Sequence, residues 1–563
     1  MPAVALSPVA RSRALDELDG GPVEVLVVGG GVVGAGIAVD AALRGLSVAL
    51  IERGDWASAT SSRSTRLLHG GIRGLETGDI RLVAEAVAER NLVAQRLAPH
   101  LVRPASLLYP LTHRAWERAY AAAGGLLYDL LGRGPGRPRD LPGFRLLRRS
   151  ECLAAAPCLR AEAVRGAVRL GEGLVDDARL TLELVRTAAA LGARCVSRGY
   201  VTRLWREGGR VCGADWVDVE TGRRLRTPSR VVVCAAGVWT PQLLAGVDRP
   251  AALPVRPSKG AHVVVPRDRI DSGSGLVLRT TRPDWRTRSF IFVVPWDRRY
   301  WILGTTDGDW PHDPDRPAAT AADVDFILDR CNRLLRSPLR RGDVIAAYAG
   351  LHPLTDAGHA DLSLASRASR VVRPLPGLVV TAGGKLTTYR RMAQRAVDAA
   401  VGPSSGPGTS TLPLLGARGW RDRRADLVQV GRQAGLPAET VDRLLGRFGT
   451  QLPVVLAAAG ANAGLLQPLP GAPDHLQVEV TYAVQHEDAR TLGDVLDRRT
   501  RIGVDDPDAA LRAGGHAARL MAPLLGWSRA RADQEVAAHR ATVARRRAEQ
   551  CAPDDASAAS LGC

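Results

Sequence analysis

Long apolar runs are missing from this 563-residue chain. No stretch reaches the roughly eighteen consecutive apolar residues of a membrane-spanning helix, so none is expected. The first twenty residues have no apolar core and carry Asp16, Glu17 and Asp19, which excludes a secretion signal and reads as a disordered leader, 1–20. Paired cysteines are missing as well. Cys152, Cys158, Cys195, Cys212, Cys234, Cys331, Cys551 and Cys563 are scattered with no CxxC pair, which argues against zinc and dithiol redox centres and points to a reducing cytoplasm. Aromatic residues make up 4% of the chain, and no dense basic run interleaves with them, so nucleic acid is not an expected partner. Internal repeats are absent. The remainder, 45% apolar over this length, fits a soluble globular protein of two or three domains. A net charge of +18 reflects either arginine spread along the whole chain or an anionic partner such as a membrane or an acidic substrate. The triple Arg545-Arg546-Arg547 reads as a solvated helix face.

What is present starts with "VEVLVVGGGVVGAGIAVDAALRGLSVALIERG", Val23 to Gly54. An apolar run predicts a buried parallel strand. Gly29, Gly30 and Gly31 follow, and with Gly34 they satisfy G-x-G-x-x-G: Gly29 for the tight turn, Gly31 for close approach of a pyrophosphate, Gly34 for helix-on-strand packing. A helix runs to about Leu43 with Gly45 as its stop, and its first amide groups face the anion. A second strand, Ser47 to Ile51, ends at Glu52, the spacing of an acid that binds ribose hydroxyls. The order strand, glycines, helix, strand, acid predicts a dinucleotide site and leaves NAD and FAD open.

Later segments bear on that choice. A long Ser/Thr-rich loop, Arg53 to Glu76, stands where a plain NAD domain would return to a helix. Two further strand-to-glycine turns follow at great distance, "VVVCAAGVWTPQLL" from Val231 and "GLVVTAGGKLTTYRRMAQRAV" from Gly377. One nucleotide domain assembled from separated segments accounts for all three, and the last helix would point its N-terminus at the electron-rich end of a reduced flavin. Asp79 to Leu97 reads as an amphipathic helix, and Asp177 onward as a helix capped by Asp176 or Asp177 and stopped at Gly192. Strands are expected around a turn at Thr221-Gly222. Residues 403–413 form a Gly/Pro/Ser linker, 414–550 a helical domain and 551–563 a disordered tail.

At these residues the chain resembles the FAD-dependent, membrane-associated (aerobic) glycerol-3-phosphate dehydrogenases over about residues 22–545. The likeness rests on "ATSSRSTRLLHGGIRGLE", "LVDDARLTLELVRTAAALGA", "PSKGAHVVVP", "FVVPWDRRYWILGTTD", "AYAGLHPL", "AGGKLTTYRRMA" and "YAVQHEDARTLGDVLDRRTRIG". It implies an α/β fold: a Rossmann-like FAD-binding domain with a substrate domain on a mixed β-sheet similar to that of D-amino-acid oxidase, and a C-terminal all-helical domain. The oxidoreductase region would span 21–402, with FAD segments near 21–78, 172–245 and 345–402 and substrate or cap segments near 79–171 and 246–344. It implies oxidation of sn-glycerol 3-phosphate to dihydroxyacetone phosphate, with electrons passing through FAD to quinone, at the inner face of the cell membrane. A homodimer is among the assemblies it allows.

The resemblance also distributes roles. FAD is expected against Gly29, Gly30, Gly31, Gly34 and Glu52. The polar loop would add Thr60, Ser61, Ser62, His69, Gly70 and Gly71, and the later turns Ala236, Gly237, Gly383, Gly384, Lys385, Leu386 and Thr387. Alcohol oxidation needs a base for the hydroxyl proton and cations for the phosphate. His262 matches a family histidine near substrate and is the candidate base, although by pattern alone it reads as a core histidine at a strand start. Arg73 matches a family arginine near the substrate, and arginine is suited to bidentate phosphate binding. Lys385 would stabilise reduced flavin or hold substrate, and Thr388 would bond to either. Lys259 and Arg256 read as surface or structural. Three positions depart from the family pattern. His352 stands where relatives carry Arg, Gly74 where they carry Tyr, and Arg367 lies in a Ser-Arg pair whose following residues differ. These departures keep two alternatives open: a flavoenzyme for another small hydroxy or amino substrate, and a flavin-binding paralogue without catalysis.

Overall fold

The computed structural model describes residues 5–561 except 72, 77, 114–115, 133–140, 248–252, 282–287, 356–368 and 407. Two large sheets organise it. The first has a parallel core in the order Leu378–Ala382, Arg224–Cys234, Val23–Val28, Val48–Ile51, Arg194–Val196, with Arg370–Leu375 antiparallel at one edge. Its central strands are apolar on both faces because both faces are covered. On one side helix Val32–Leu43 lies among Asp177–Ala190 and Tyr389–Val401. The contact is close because Gly36 presents no side chain: a Cβ there would stand 3.1 Å from Ala393 and Tyr389. On the other side lie the hairpin Gly199–Glu207 and Arg210–Asp218 and the helix Pro8–Leu18. The expected leader is therefore a docked helix over most of its length. Ser7 caps it and Ala14, Leu15 and Leu18 are buried, an apolar stripe that its high charge obscures in the sequence.

The second sheet is mixed and carries the substrate side. Strand Arg256–Pro266 pairs antiparallel with Ala346–Leu354 so that Ser258 faces His352 and His262 faces Tyr348. Tyr300–Gly304, Arg288–Trp296, Gly275–Thr281, Arg103–Leu111 and Gly166–Leu174 extend it. The domain after the linker is built from Trp420–Gln433, Ala438–Phe448, Gln477–His486, Pro507–Leu525 and Arg529–Cys551, with one two-stranded hairpin. Its end is ordered too. Helix Asp555–Ser560 packs back, and Asp555 pairs with Lys259, so this part of the expected disordered tail is anchored by a lysine that is itself buried. Among the described residues no helix is long and apolar enough to cross a membrane.

The helical domain is joined to the cofactor domain by buried ions. Arg499 forms a two-pronged pair with Asp55 at 2.7 and 2.8 Å, Arg179 pairs with Glu487, and Arg66 bonds Asp505 at 3.0 Å. Trp56 Nε1 donates to Asp488 at 3.0 Å. Such pairs add little net stability, but removing one partner strands a charge away from water.

Candidate functional site

The three separated glycine turns converge on one cleft of about 660 Å³ at the carboxyl ends of the parallel strands. Gly29 has φ +113°, and a Cβ on it would stand 2.5 Å from the Ala235 carbonyl oxygen. A Cβ on Gly34 would stand 1.8 Å from the Gly29 carbonyl oxygen, so helix and turn touch backbone to backbone. Gly31 opens on the cleft and leads the helix, with Ser61 Oγ accepting the Val32 amide at 2.9 Å. Glu52 closes the loop by accepting from Gly30 at 2.6 Å and Gly54 at 2.7 Å, and burial raises its pKa. This arrangement of exposed helix amides, side-chain-free backbone and one carboxylate fits the pyrophosphate and ribose of a dinucleotide.

Of the expected cofactor residues, Gly29, Gly31, Glu52, Thr60, Ser61 and His69 line the cleft from the first segments. Ala236, Gly237, Gly383, Gly384, Lys385, Leu386 and Thr387 line it from the later turns. Gly30, Gly34, Ser62, Gly70 and Gly71 do not line it and act from behind. Gly30 leaves room for Trp56, Ser62 Oγ donates to the Ala59 carbonyl at 3.3 Å, and the Gly70 amide donates to Tyr128. Gly71 makes room for Lys385: a Cβ there would stand 2.4 Å from Nζ. Thr387 Oγ1 clasps the His69 backbone, donating to its carbonyl at 3.0 Å and accepting its amide at 3.1 Å. The polar loop is thus fastened to the last glycine turn beside Lys385. Thr388 is buried and donates to the Lys385 carbonyl at 3.3 Å.

The substrate candidates divide. His352 and Lys385 open on the cleft. His262 does not. It is buried, stacked on Tyr348 with ring centres 5.0 Å apart, and its Nε2 lies 2.9 Å from the Thr65 hydroxyl, which does face the cleft. Burial, reinforced by His352 and Arg66, pushes its pKa down to about 3, so it is a neutral imidazole that reaches the cleft through Thr65. Arg73 begins the short helix Arg73–Glu76, while its side chain and all of Arg367 lie outside the described residues. Lys259 pairs with Asp323 at 2.5 Å and Arg256 pairs with Asp309, both structural.

Some residues escaped the sequence reading. Arg63 lines the cleft; its backbone amide donates to the Thr60 carbonyl at 3.0 Å, while its side chain makes no hydrogen bond among the described residues. Burial and the nearby Arg546, Arg501 and Arg498 lower its pKa to about 9. Its place in "TSSRSTR", inside a loop already assigned to the dinucleotide, was the available signal. The arginine triple is a correction. Arg545 and Arg546 are not a solvated face. They line the cleft, where Arg546 bonds Asp497 and Arg545 bonds Glu549, each at 2.6 Å. Asp497 lies about fifty residues away in sequence, so no local pattern announces it. Among the described residues no cluster suits a metal ion.

Residues 24–391 match the family described as FAD dependent oxidoreductase, and residues 407–532 the one described as C-terminal domain of alpha-glycerophosphate oxidase. The chain is 44% identical to glycerol-3-phosphate dehydrogenase 2 of Mycobacterium tuberculosis, an alignment covering 100% of this chain and 94% of the relative. Identity and coverage are the same for the glycerol-3-phosphate dehydrogenase of Mycobacterium leprae. Among solved structures, the glycerol-3-phosphate dehydrogenase of Bacillus halodurans complexed with FAD superposes with a TM-score of 0.78 at 28% identity, over 97% of this chain and 99% of that one.

Proposed function

The chain belongs to the FAD-dependent glycerol-3-phosphate dehydrogenase family, and on that premise we propose that it oxidises sn-glycerol 3-phosphate to dihydroxyacetone phosphate and delivers the electrons to a membrane quinone. FAD, which the glycine turns at Gly29–Gly31, Ala236–Gly237 and Gly383–Gly384 would hold, would supply a two-electron acceptor for the C2 hydrogen. The chain's own residues do the rest. Lys385, held beside Gly71 and the Thr387–His69 clasp, presents a cation to the anionic reactant. His352 faces the same space and meets the phosphate end. The hydroxyl proton leaves toward Thr65, whose oxygen lies within hydrogen-bond reach of a neutral His262. Arg73 is assigned to the phosphate by resemblance. Docking at the inner face of the cell membrane gives access to quinone.

The observation that carries this reading is convergence: the glycine loop, Lys385, His352 and Thr65 share one cleft. Anaerobic mixing with glycerol 3-phosphate tests it. Bleaching of the flavin absorbance is the expected result, and an unchanged spectrum refutes the substrate assignment. His352 favours a second reading, a small hydroxy or amino substrate without phosphate, because an imidazole is a poorer dianion ligand than a guanidinium. Glycerol bleaching the flavin as readily as its phosphate would establish that reading instead.

A further inference from the structure

Arg63 lines the cleft with no carboxylate of its own to balance it among the described residues. It follows the turn Thr60–Ser62, and its stem has a place because Gly350 has no side chain: a Cβ on Gly350 would stand 2.6 Å from the Arg63 Cβ. The arginines around it are each matched. Arg498 bonds Asp494 at 2.6 Å and pairs with Asp55 as well, and Arg501 stands 3.4 Å from Asp177. Arg545 pairs with Glu549 and Arg546 with Asp497, each at 2.6 Å. Asp497 also acts on Arg63, but it is already bonded to Arg546. A partly buried guanidinium set among like charges costs free energy, and an anion in the cleft would recover it.

Position selects the anion. Arg63 stands two residues beyond Ser61, whose Oγ accepts the Val32 amide at 2.9 Å at the start of the helix that faces the pyrophosphate. Arg501 steadies the same turn by donating to the Ser62 carbonyl at 2.9 Å. Lys385, the cation for the reactant, sits instead at the Gly71 end of the loop. The helical domain reaches Arg63 through its long helix Arg529–Cys551. Arg546 on that helix bonds Asp497 through one arm, while its Nη1 is buried and bonds nothing among the described residues. Just past the helix, the Ala321 amide donates to the Ala552 carbonyl at 2.9 Å, which fastens that end to the substrate side. Arg545, Arg546 and Glu549 lie beyond 407–532, the stretch that matches the C-terminal family domain. We propose that Arg63 is a phosphate ligand of FAD, joining the helix amides at Gly31 on the diphosphate, and that Arg546 makes helix Arg529–Cys551 part of the cofactor site, so that FAD binding and docking of this helix are coupled. The inference rests on FAD as the cofactor and not on the substrate or its electron acceptor.

The test uses the full-length, FAD-loaded protein with the variants Arg63→Gln and Arg546→Gln. Arg547→Gln is the control, since Arg547 pairs with Asp508 and does not line the cleft. FAD release on dilution is followed by recovery of flavin fluorescence, and melting temperatures are taken with FAD and after its removal. Arg63→Gln should weaken FAD binding at least about ten-fold, the loss of one charge-assisted hydrogen bond. It breaks no ion pair, so the melting temperature of the FAD-free form should hold while the stabilisation by FAD shrinks. Arg546→Gln should shrink that stabilisation too. FAD should slow hydrogen exchange in Arg529–Cys551 of the parent, and less so in Arg546→Gln. Unchanged FAD affinity in Arg63→Gln overturns the proposal. So does an equal loss in Arg547→Gln, which would reduce the effect to overall charge. A raised KM for glycerol 3-phosphate at unchanged FAD affinity would move Arg63 to the substrate phosphate, and exchange in the helix that ignores FAD would remove the coupling. FAD affinities as expected, in a protein whose flavin glycerol 3-phosphate does not bleach, would refute the substrate reading and leave this inference standing.

Discussion

Replacing His352 by arginine should strengthen phosphate binding, and the size of the gain follows from geometry. His352 lies on strand Ala346–Leu354 opposite Ser258 and opens on the cleft, so added length extends into the cleft rather than into the sheet. A neutral imidazole gives a phosphate one hydrogen bond, while a guanidinium gives two parallel charge-assisted ones. One additional charge-assisted bond is worth about 1.5–3 kcal/mol, which is a factor of about ten to 150 in affinity. Steady-state assays with a dye acceptor would show KM for glycerol 3-phosphate falling by that factor in His352→Arg. KM for unphosphorylated glycerol should not move, because the new bonds have nothing to hold. An unchanged KM for the phosphate, or an equal gain for glycerol, would remove His352 from the phosphate end and refute the reasoning.

Gly34→Ala forces a methyl group to within 1.8 Å of the Gly29 carbonyl oxygen, so the helix must lift off the turn. The purified variant should be colourless or lose FAD on dilution, read from its flavin-to-protein absorbance ratio. Arg499→Gln takes one of the two cations from buried Asp55, which keeps Arg498, and should lower the melting temperature; differential scanning fluorimetry with and without added FAD would register it. Asp488 has its pKa raised by burial to about 6, against an ordinary carboxyl value of 3.8, so the folded chain binds more protons than the unfolded one between those values. Stability should therefore fall as pH rises from about 4 to 6. Asp488→Asn should flatten that slope and raise the melting temperature at pH 8, while a steeper slope or a lower melting temperature at pH 8 would contradict it. His262 titrates near pH 3, so an inflection of kcat/KM between pH 5 and 8 should survive its replacement by Asn.

The cofactor half of this cleft was legible because its signals are local. The strand, the glycines, the helix and Glu52 follow each other within thirty residues, and each glycine has a steric reason visible in the turn it makes. Helix Asp177–Ala190 was equally plain from its cap and periodicity. What escaped detection depends on distant partners. The leader reads as charged until Leu18 and Leu15 find the sheet, and the final helix as a tail until Asp555 finds Lys259. Arg546 looks solvated until Asp497 is placed beside it. The role of His262 was ambiguous for a related reason. The structure sets His262 inside strand Arg256–Pro266 rather than at its start, and whether it faces core or cleft is set by the opposing strand, here Tyr348, and by Thr65 across the gap.

The order in which the cofactor sheet is assembled bears on how the cell can make this protein. Strand Arg224–Cys234 lies between Val23–Val28 and Leu378–Ala382, so one of its edges waits for a segment about 150 residues downstream. At roughly 5–20 residues per second, translation takes about 20–75 s to deliver residue 382. Until then the apolar stretch Val231–Cys234, wholly buried in the finished fold, offers an open edge to any extended neighbour. Chains stalled or cleaved before residue 378 should aggregate however intact their glycine loop, and FAD can be retained only after that strand has closed the sheet.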